Sequence, residues 1–154
     1  MAHDVWVLHG PNLNLLGRRE PKIYGRDTLA AIDARLAARG EELGLRVTSF
    51  QTNHEGALID RLQIAMDEAD GVVLNPGALT HTSMALGDAL RAVTIPVVEV
   101  HLSNLYARER ERQANLTAAA AAGVIMGFGP EGYELALQAL AARFRPRRKR
   151  GGKS

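Results

Sequence analysis

A chain of 154 residues, with 46% hydrophobic residues, 23% charged residues and a formal net charge of +2, has the composition of one globular domain. This composition excludes a disordered or collagen-like protein. The chain has no cysteine, which excludes a disulfide framework, a thiolate zinc site and a cysteine nucleophile and leads us to expect a cytoplasmic location.

Strands and helices alternate along the chain. Short apolar runs predict five strands, at residues 5–9, 46–50, 71–74, 96–100 and 123–128. Helical spacing of apolar residues predicts helices over 28–43, 55–69, 82–92 and 130–144, the first with Asp27 or Thr28 as its N-cap. This alternation predicts an α/β fold: a five-stranded parallel sheet with helices on both faces, in the flavodoxin-like order 2-1-3-4-5.

Basic residues are concentrated at the C-terminus. Residues 143–154 hold seven of the 19 basic residues and none of the 17 acidic ones, so residues 1–142 carry a formal charge of −5. We therefore expect one domain over residues 1–142 and a basic, disordered tail over 143–154. Such a tail can touch nucleic acid or an acidic partner, or it can be a solvated end without a specific role.

Amides, histidines and hydroxyls follow four of the predicted strands. Ligands of an open parallel sheet bind beyond the carboxyl ends of its strands, so these residues predict a site for a small polyoxygenated molecule. Residues of these types also cap helices and turns, and only their coincidence at four strand ends favours a site. The candidates are Asn12, Asn14, Asn53, His54, Glu55, Asn75, Thr80, His81, Thr82, Ser83, Glu99, His101, Ser103 and Asn104.

Glu99 and His101 lie two residues apart in a predicted strand and therefore face the same side. A carboxylate beside an imidazole can fix its tautomer and favour its protonated form, as a general acid requires. A metal site built from His81, His101 and Glu99 is the alternative. Against it, no histidine pair has helical four-residue spacing, and the abundant asparagines are poor transition-metal ligands.

Residues 18–27 form an unusually long connection between a strand and a helix, which is typical of an active-site lid. Gly17 and Gly25 are candidate hinges, and Tyr24 lies among several arginines. Arg108 and Arg112, four residues apart, share a face if their segment is helical. A tyrosine close to guanidinium groups can lose its proton near neutral pH, although the segment is equally compatible with a solvated surface loop.

Five stretches in this order carry a family resemblance: GPNLNLLG at 10–17, REPKIYG at 19–25, QTNHEG at 51–56, NPGALTHTS at 75–83 and EVHLSN at 99–104. Over about residues 5–142 the chain resembles the type II 3-dehydroquinate dehydratases. The resemblance implies a lyase that converts 3-dehydroquinate to 3-dehydroshikimate by anti elimination through an enolate. It further implies that the enzyme needs no metal or cofactor, forms a dodecamer of trimers, and serves either the shikimate pathway or quinate degradation.

The resemblance also implies roles for individual residues. Tyr24 matches the base, and Arg19 on the lid matches its activator. Asn12 matches the residue that stabilises the enolate oxygen through a water, and His101 matches the acid, with Glu99 behind it. Substrate-binding roles are implied for Asn75, Ser103 and the Leu102 backbone at the carboxylate, for His81 and Arg112 at the ring hydroxyls, and for Asp88 and Arg108 in a supporting position or from a neighbouring subunit.

Some features depart from the family pattern or argue against other chemistry. Residues 113–117 (QANLT), Tyr106 and Glu111 differ from the residues usual in the family, which leaves the helix expected there and its subunit contacts open, with Arg110 as an alternative to Arg112. The lysines, at positions 22, 149 and 153, are not placed to form a buried imine.

The alternative function is a non-catalytic flavodoxin-like module that binds nucleotide or RNA through its basic tail. The absence of a glycine-rich phosphate loop weakens this alternative.

Overall fold

The computed structural model describes residues 2–146 and contains one five-stranded sheet. All strand pairs are parallel, and the order is β2-β1-β3-β4-β5. The strands are β1 (His3–His9), β2 (Leu45–Gln51), β3 (Gly71–Asn75), β4 (Val97–His101) and β5 (Gly123–Met126). The flavodoxin-like sheet predicted from the sequence is therefore confirmed.

Helices α1 (Pro21–Tyr24) and α2 (Leu29–Glu42) lie between β1 and β2, α3 (Glu55–Glu68) lies between β2 and β3, and α4 (Leu79–Thr82) and α5 (Met84–Ala92) lie between β3 and β4. Short 3-10 turns join β4 to β5, and α6 (Glu131–Phe144) follows β5. The Thr28 side chain accepts a hydrogen bond from the Ala31 N–H, as a helix N-cap does. The helix predicted to start at residue 82 starts instead at Met84. Ser83 is extended and caps it, and α4 is a separate single turn before it.

The three central strands of the sheet, β1, β3 and β4, are buried on both faces. Side chains alternate along β1, so Val5 and Val7 pack with α2 and α6, whereas Trp6 and Leu8 pack with α3 and α5. A parallel sheet covered by helices on both faces has only its strand ends open to a ligand. The predicted site therefore has to lie at one end of the sheet.

The predicted boundary after residue 142 falls inside α6, which continues through Phe144. The helix continues because its apolar side packs on the sheet: Phe144 packs against one of the two apolar clusters. Residues 147–154, the larger part of the predicted tail, lie outside the described residues.

The loops after β1 and β3 are pressed together at Gly10. The Gly10 N–H donates to the Asn75 carbonyl at 2.8 Å, and a Cβ at position 10 would lie 2.4 Å from the Pro76 carbonyl oxygen. Only glycine permits this approach, because any larger residue would push one backbone away from the other.

We expect Gly10→Ala to lower the free energy of unfolding by about 1–3 kcal/mol, the usual cost of overpacking, and to reduce activity by separating the two loops. Urea denaturation measures the change. Gly56→Ala is the matched control, because a Cβ there meets nothing within 4 Å. Equal stability of the two variants would contradict the close approach at Gly10.

Candidate active site

A cavity lies beyond the carboxyl ends of β1, β3 and β4. The family resemblance implies roles for twelve residues, and ten of these line the cavity. The loop after β1 contributes Asn12, Arg19 and Tyr24, and β3 with the following loop contributes Asn75 and His81. The end of β4 and the loop after it contribute His101, Leu102, Ser103, Arg108 and Arg112.

Tyr24 has two guanidinium groups near its ring. The Nη1 and Nη2 atoms of Arg108 donate to the Tyr24 hydroxyl oxygen at 3.3 and 3.4 Å, whereas Arg19 stacks on the ring, its Cζ 5.1 Å from the centroid. Arg108, which the sequence placed in a supporting position, is thus the direct partner of the phenol oxygen. Burial lowers the pKa of Arg108, but the bonds to Tyr24 and Glu109 outweigh burial and hold it above its usual value.

Backbone geometry sets the position of Tyr24. Gly17 and Gly25, the expected hinges, have φ values of +88° and +84°. Between them α1 starts at Pro21, and Tyr24 packs against the apolar cluster that covers one face of the sheet. Glu20 has φ +38°, which is strained for a residue other than glycine.

His101 and Glu99 form a buried pair at the end of β4. His101 Nε2 lies 3.1 Å from Glu99 Oε2, and the side chains are 5% and 0% exposed. The imidazole and the carboxylate are therefore in direct contact. Glu99 itself does not line the cavity but lies behind His101, as predicted from their two-residue spacing.

The atypical segment 113–117 holds Glu99. Asn115 Nδ2 donates to Glu99 Oε2 at 2.9 Å, the Thr117 hydroxyl donates to Oε1, and Thr80 Oγ1 lies 3.3 Å from Oε1. Burial raises the pKa of Glu99, but bonds from His101, Thr117 and Asn115 outweigh it and hold the pKa below its usual value.

The amides around the cavity are fixed from behind. Asn12 adopts a left-handed conformation with φ +69°, and its N–H donates to Asn53 Oδ1 at 2.9 Å. The Asn75 Oδ1 accepts from the Gly77 N–H at 3.1 Å, and its Nδ2 donates to the Tyr133 hydroxyl at 2.9 Å. Sequence reasoning did not identify Tyr133 or Thr117 as part of the site, because no motif links them to it.

Three further side chains on the cavity have polar partners. The Ser103 hydroxyl accepts from Arg108 Nη1 at 3.1 Å, and Arg112 Nε donates to Glu109 at 2.6 Å. His81 Nδ1 lies 2.5 Å from the Ala114 carbonyl oxygen, so Nδ1 carries the proton and Nε2 remains available. Arg112, rather than Arg110, lines the cavity.

The structure also describes the segment after β4 and the position of Asp88. Residues 105–112 form two 3-10 turns, Leu105–Ala107 and Arg110–Arg112, with Arg108 extended between them, instead of a helix. Asp88 lies on α5 outside the cavity, exposed to solvent, and pairs with Arg91 at 3.1 Å on the same helix. Within one chain, therefore, Asp88 does not reach the site.

Among residues 2–146, no group of three or more imidazole and carboxylate side chains is arranged to hold a metal ion. No helix in that part of the chain is both long and apolar enough to cross a bilayer.

Comparison with known proteins is consistent across sequence and structure. The family model described as dehydroquinase class II matches residues 3–141. A 3-dehydroquinate dehydratase of Chelativorans sp. is 59% identical over 93% of this chain and 99% of its own length, and a catabolic 3-dehydroquinase 1 of Neosartorya fischeri is 50% identical over 96% and 98%. A type II dehydroquinase from Propionibacterium acnes has a TM-score of 0.89 and 45% identity over 92% of this chain and 98% of that one.

The buried carboxylate predicts a pH dependence of stability. Because the pKa of Glu99 is lower in the folded than in the unfolded chain, its stabilising contribution is complete above the unfolded value of about 4.3 and is lost as pH falls through the folded value. We expect Glu99→Gln to flatten the fall in unfolding free energy below about pH 4.3. Urea denaturation at several pH values, with exposed Glu41→Gln as control, measures this. An unchanged slope for Glu99→Gln would contradict the prediction.

Proposed function

This chain belongs to the class II dehydroquinase family, and we propose from this membership and the geometry of the cavity that it is a type II 3-dehydroquinate dehydratase. The reaction is the anti elimination of water from 3-dehydroquinate, giving 3-dehydroshikimate through an enolate. One observation carries the proposal: a phenol with a guanidinium beside it and an imidazole with a carboxylate beside it line the same cavity.

The first step is removal of a proton. Tyr24 as phenolate takes the proton from the carbon next to the ketone, and the electron pair of that C–H bond moves to the ketone oxygen to give the enolate. Arg108 stabilises the phenolate through its two contacts with the oxygen, and Arg19 covers the ring. Asn12, held by Asn53, orients a water that donates to the enolate oxygen.

The second step is departure of the hydroxyl group. The enolate electrons return to form the carbon–carbon double bond, and the C–O bond breaks as His101 donates its proton to the leaving oxygen. Glu99 supports this step, because an ionised carboxylate 3.1 Å away favours the imidazolium before the transfer. The products are water, 3-dehydroshikimate and a neutral imidazole, which the Tyr24 proton ultimately restores through solvent.

Substrate binding is assigned to the remaining cavity residues. Asn75, Ser103 and the Leu102 backbone bind the carboxylate, and His81 and Arg112 bind the ring hydroxyls. Asp88 is exposed on α5 and would reach a site only from a neighbouring subunit. Its role therefore depends on an oligomer, which we propose to be a dodecamer of trimers. Large exposed apolar side chains support an oligomer, among them Met84, Phe128 and Tyr106, at 73%, 65% and 71% exposure.

We further propose that the enzyme acts in the cytoplasm and needs no metal or cofactor, because side chains supply the base, the acid and the enolate stabilisation. The relatives include proteins named as catabolic 3-dehydroquinases, so the chain serves either the shikimate pathway or quinate degradation. We propose one catalytic domain that extends to the end of α6 at Phe144, two residues beyond the predicted boundary, with a basic tail after it. The alternative of a nucleotide- or RNA-binding module has no support from the relatives.

The proposal predicts activity without added metal. Protein dialysed against EDTA should convert 3-dehydroquinate with a rise in the absorbance of the conjugated enone product, at the rate of the undialysed protein. No rise with either sample would overturn the proposed function, and a rate lost on dialysis and restored by a divalent metal would overturn metal independence.

Substitutions distinguish the residues that act in the chemical steps from a residue that also binds the substrate. Tyr24→Phe and His101→Ala should each lower kcat by about 10²-fold or more, the usual contribution of a general base or acid, with KM changed only a few-fold. Arg112→Ala should raise KM as well, because it removes a substrate contact.

Steady-state kinetics measures both constants, with Glu41→Gln, at an exposed glutamate outside the cavity, as the control that keeps them. If all three variants raised KM alone, the assigned roles would be wrong.

A further inference from the structure

A line of hydrogen-bonded polar side chains ends at Asn75 in the cavity, and its other members have no role in the proposed mechanism. It runs from Asp33 on α2 through His9 at the end of β1 and Tyr133 on α6 to Asn75 at the end of β3. His9 and Tyr133 are 0% exposed, and Asn75 lines the cavity. Four separate elements of the fold therefore meet in one line of hydrogen bonds.

The distances along this line are all short. Asp33 Oδ1 lies 2.8 Å from His9 Nε2, and His9 Nδ1 lies 2.9 Å from the Tyr133 hydroxyl. The same hydroxyl lies 2.9 Å from Asn75 Nδ2. The rings of His9 and Tyr133 meet edge to face, with centroids 5.2 Å apart, so each ring restricts the rotation of the other.

The direction of every proton in the line follows from one backbone group. The Gly77 N–H can only donate, so the atom of Asn75 that faces it at 3.1 Å is the carbonyl oxygen, and the amide nitrogen faces Tyr133. The Tyr133 oxygen accepts a hydrogen bond from Asn75, and its O–H donates a hydrogen bond to His9 Nδ1. His9 is then the neutral tautomer with its proton on Nε2, donating to Asp33.

Burial keeps the phenol in the form that this pattern needs. Burial raises the pKa of Tyr133 far above its usual value, against the smaller effect of the Asn75 hydrogen bond. The hydroxyl therefore keeps its proton and is both acceptor and donor. If the Asn75 amide were inverted, an N–H would face the Gly77 N–H, and the second amide hydrogen would no longer be in its place.

We propose that Asp33, His9 and Tyr133 are positioning residues that hold the Asn75 amide with its second N–H toward the cavity, where it donates to the carboxylate of the substrate. The inference rests on the proposed function, since it concerns how the substrate is bound. Loss of the line removes the Tyr133 contact and leaves the amide held by the Gly77 N–H, so the inverted amide becomes more populated. The carbonyl oxygen of the inverted amide faces and repels the carboxylate. The line therefore sets affinity for the acid group rather than the rate of proton transfer.

The test begins with Tyr133→Phe, which removes the hydroxyl and keeps the ring. We expect KM for 3-dehydroquinate to rise about ten-fold, the value of a hydrogen bond to a charged group, with kcat within about two-fold of wild type. The double variant Tyr133→Phe/Asn75→Ala should have the same KM as Asn75→Ala alone, because Tyr133 acts only through Asn75. Leu140→Ala is the control: it lies on α6 near Gly71, at the far end of β3, and should lower stability without moving KM.

Changes at the other end of the line keep the proposal falsifiable if the tyrosine variant does not fold. His9→Leu removes the acceptor, so Tyr133 turns its proton toward Asn75 and favours inversion, whereas His9→Asn supplies an acceptor near the position of Nδ1. We expect KM to rise in His9→Leu and to recover in His9→Asn. Asp33→Ala, at the partly exposed end of the line, should raise KM about three-fold, the usual effect of losing one typical hydrogen bond.

The experiments distinguish failure of the proposed function from failure of the inference about Asn75. A wild-type enzyme that does not convert 3-dehydroquinate overturns the proposed function. An active wild-type enzyme whose KM is unmoved by the folded variants at Tyr133, His9 and Asp33 overturns the inference alone. Additive effects of Tyr133→Phe and Asn75→Ala also overturn it, because Tyr133 would then act by some route other than the amide.

Discussion

Opposite charges held on two sides of one cavity are the constraint on which the rest of the site depends. A guanidinium contacts the oxygen of Tyr24, and a carboxylate contacts the ring of His101. Each partner carries the charge that attracts the form its neighbour takes in the proposed mechanism: a guanidinium faces the proposed phenolate, and a carboxylate faces the proposed imidazolium. In open water these effects would be small, but Glu99 and His101 are almost fully buried, where such interactions are stronger.

The fold meets this constraint by using the ends of parallel strands. β1, β3 and β4 end at the same edge, and the close approach at Gly10 locks the first two loops together. Two buried networks then support the cavity from behind: Asn115 and Thr117 at Glu99, and Tyr133 with His9 at Asn75. Among the described residues, the positive φ values at residues other than glycine are at Asn12 and Glu20, in the loop that carries Tyr24, as is common where function sets the conformation.

Much of this was predictable from the sequence, for identifiable reasons. Apolar runs between turn residues located all five strands, and Thr28 was one of two residues named as a cap. Motifs at strand ends identified the cavity residues, because strand ends converge in any parallel sheet. The partner of Tyr24 was not predictable, since Arg108 is 84 residues away and no local pattern determines which arginine touches the phenol. The contacts of Thr117 and Tyr133 were not predictable either, because they are set by packing. Asp88 was named from the family resemblance, but it does not reach the cavity of its own chain.

The proposed elimination is divided between Tyr24 and His101, and isotope exchange tests that division most directly. With 3-dehydroquinate deuterated at the carbon next to the ketone, His101→Ala should form the enolate and return it, so that deuterium is lost to solvent faster than product appears. Tyr24→Phe should lose neither deuterium nor water at a measurable rate. Exchange that persists in Tyr24→Phe, or an absence of exchange in a His101→Ala enzyme that still dehydrates its substrate, would contradict the assignment of base and acid.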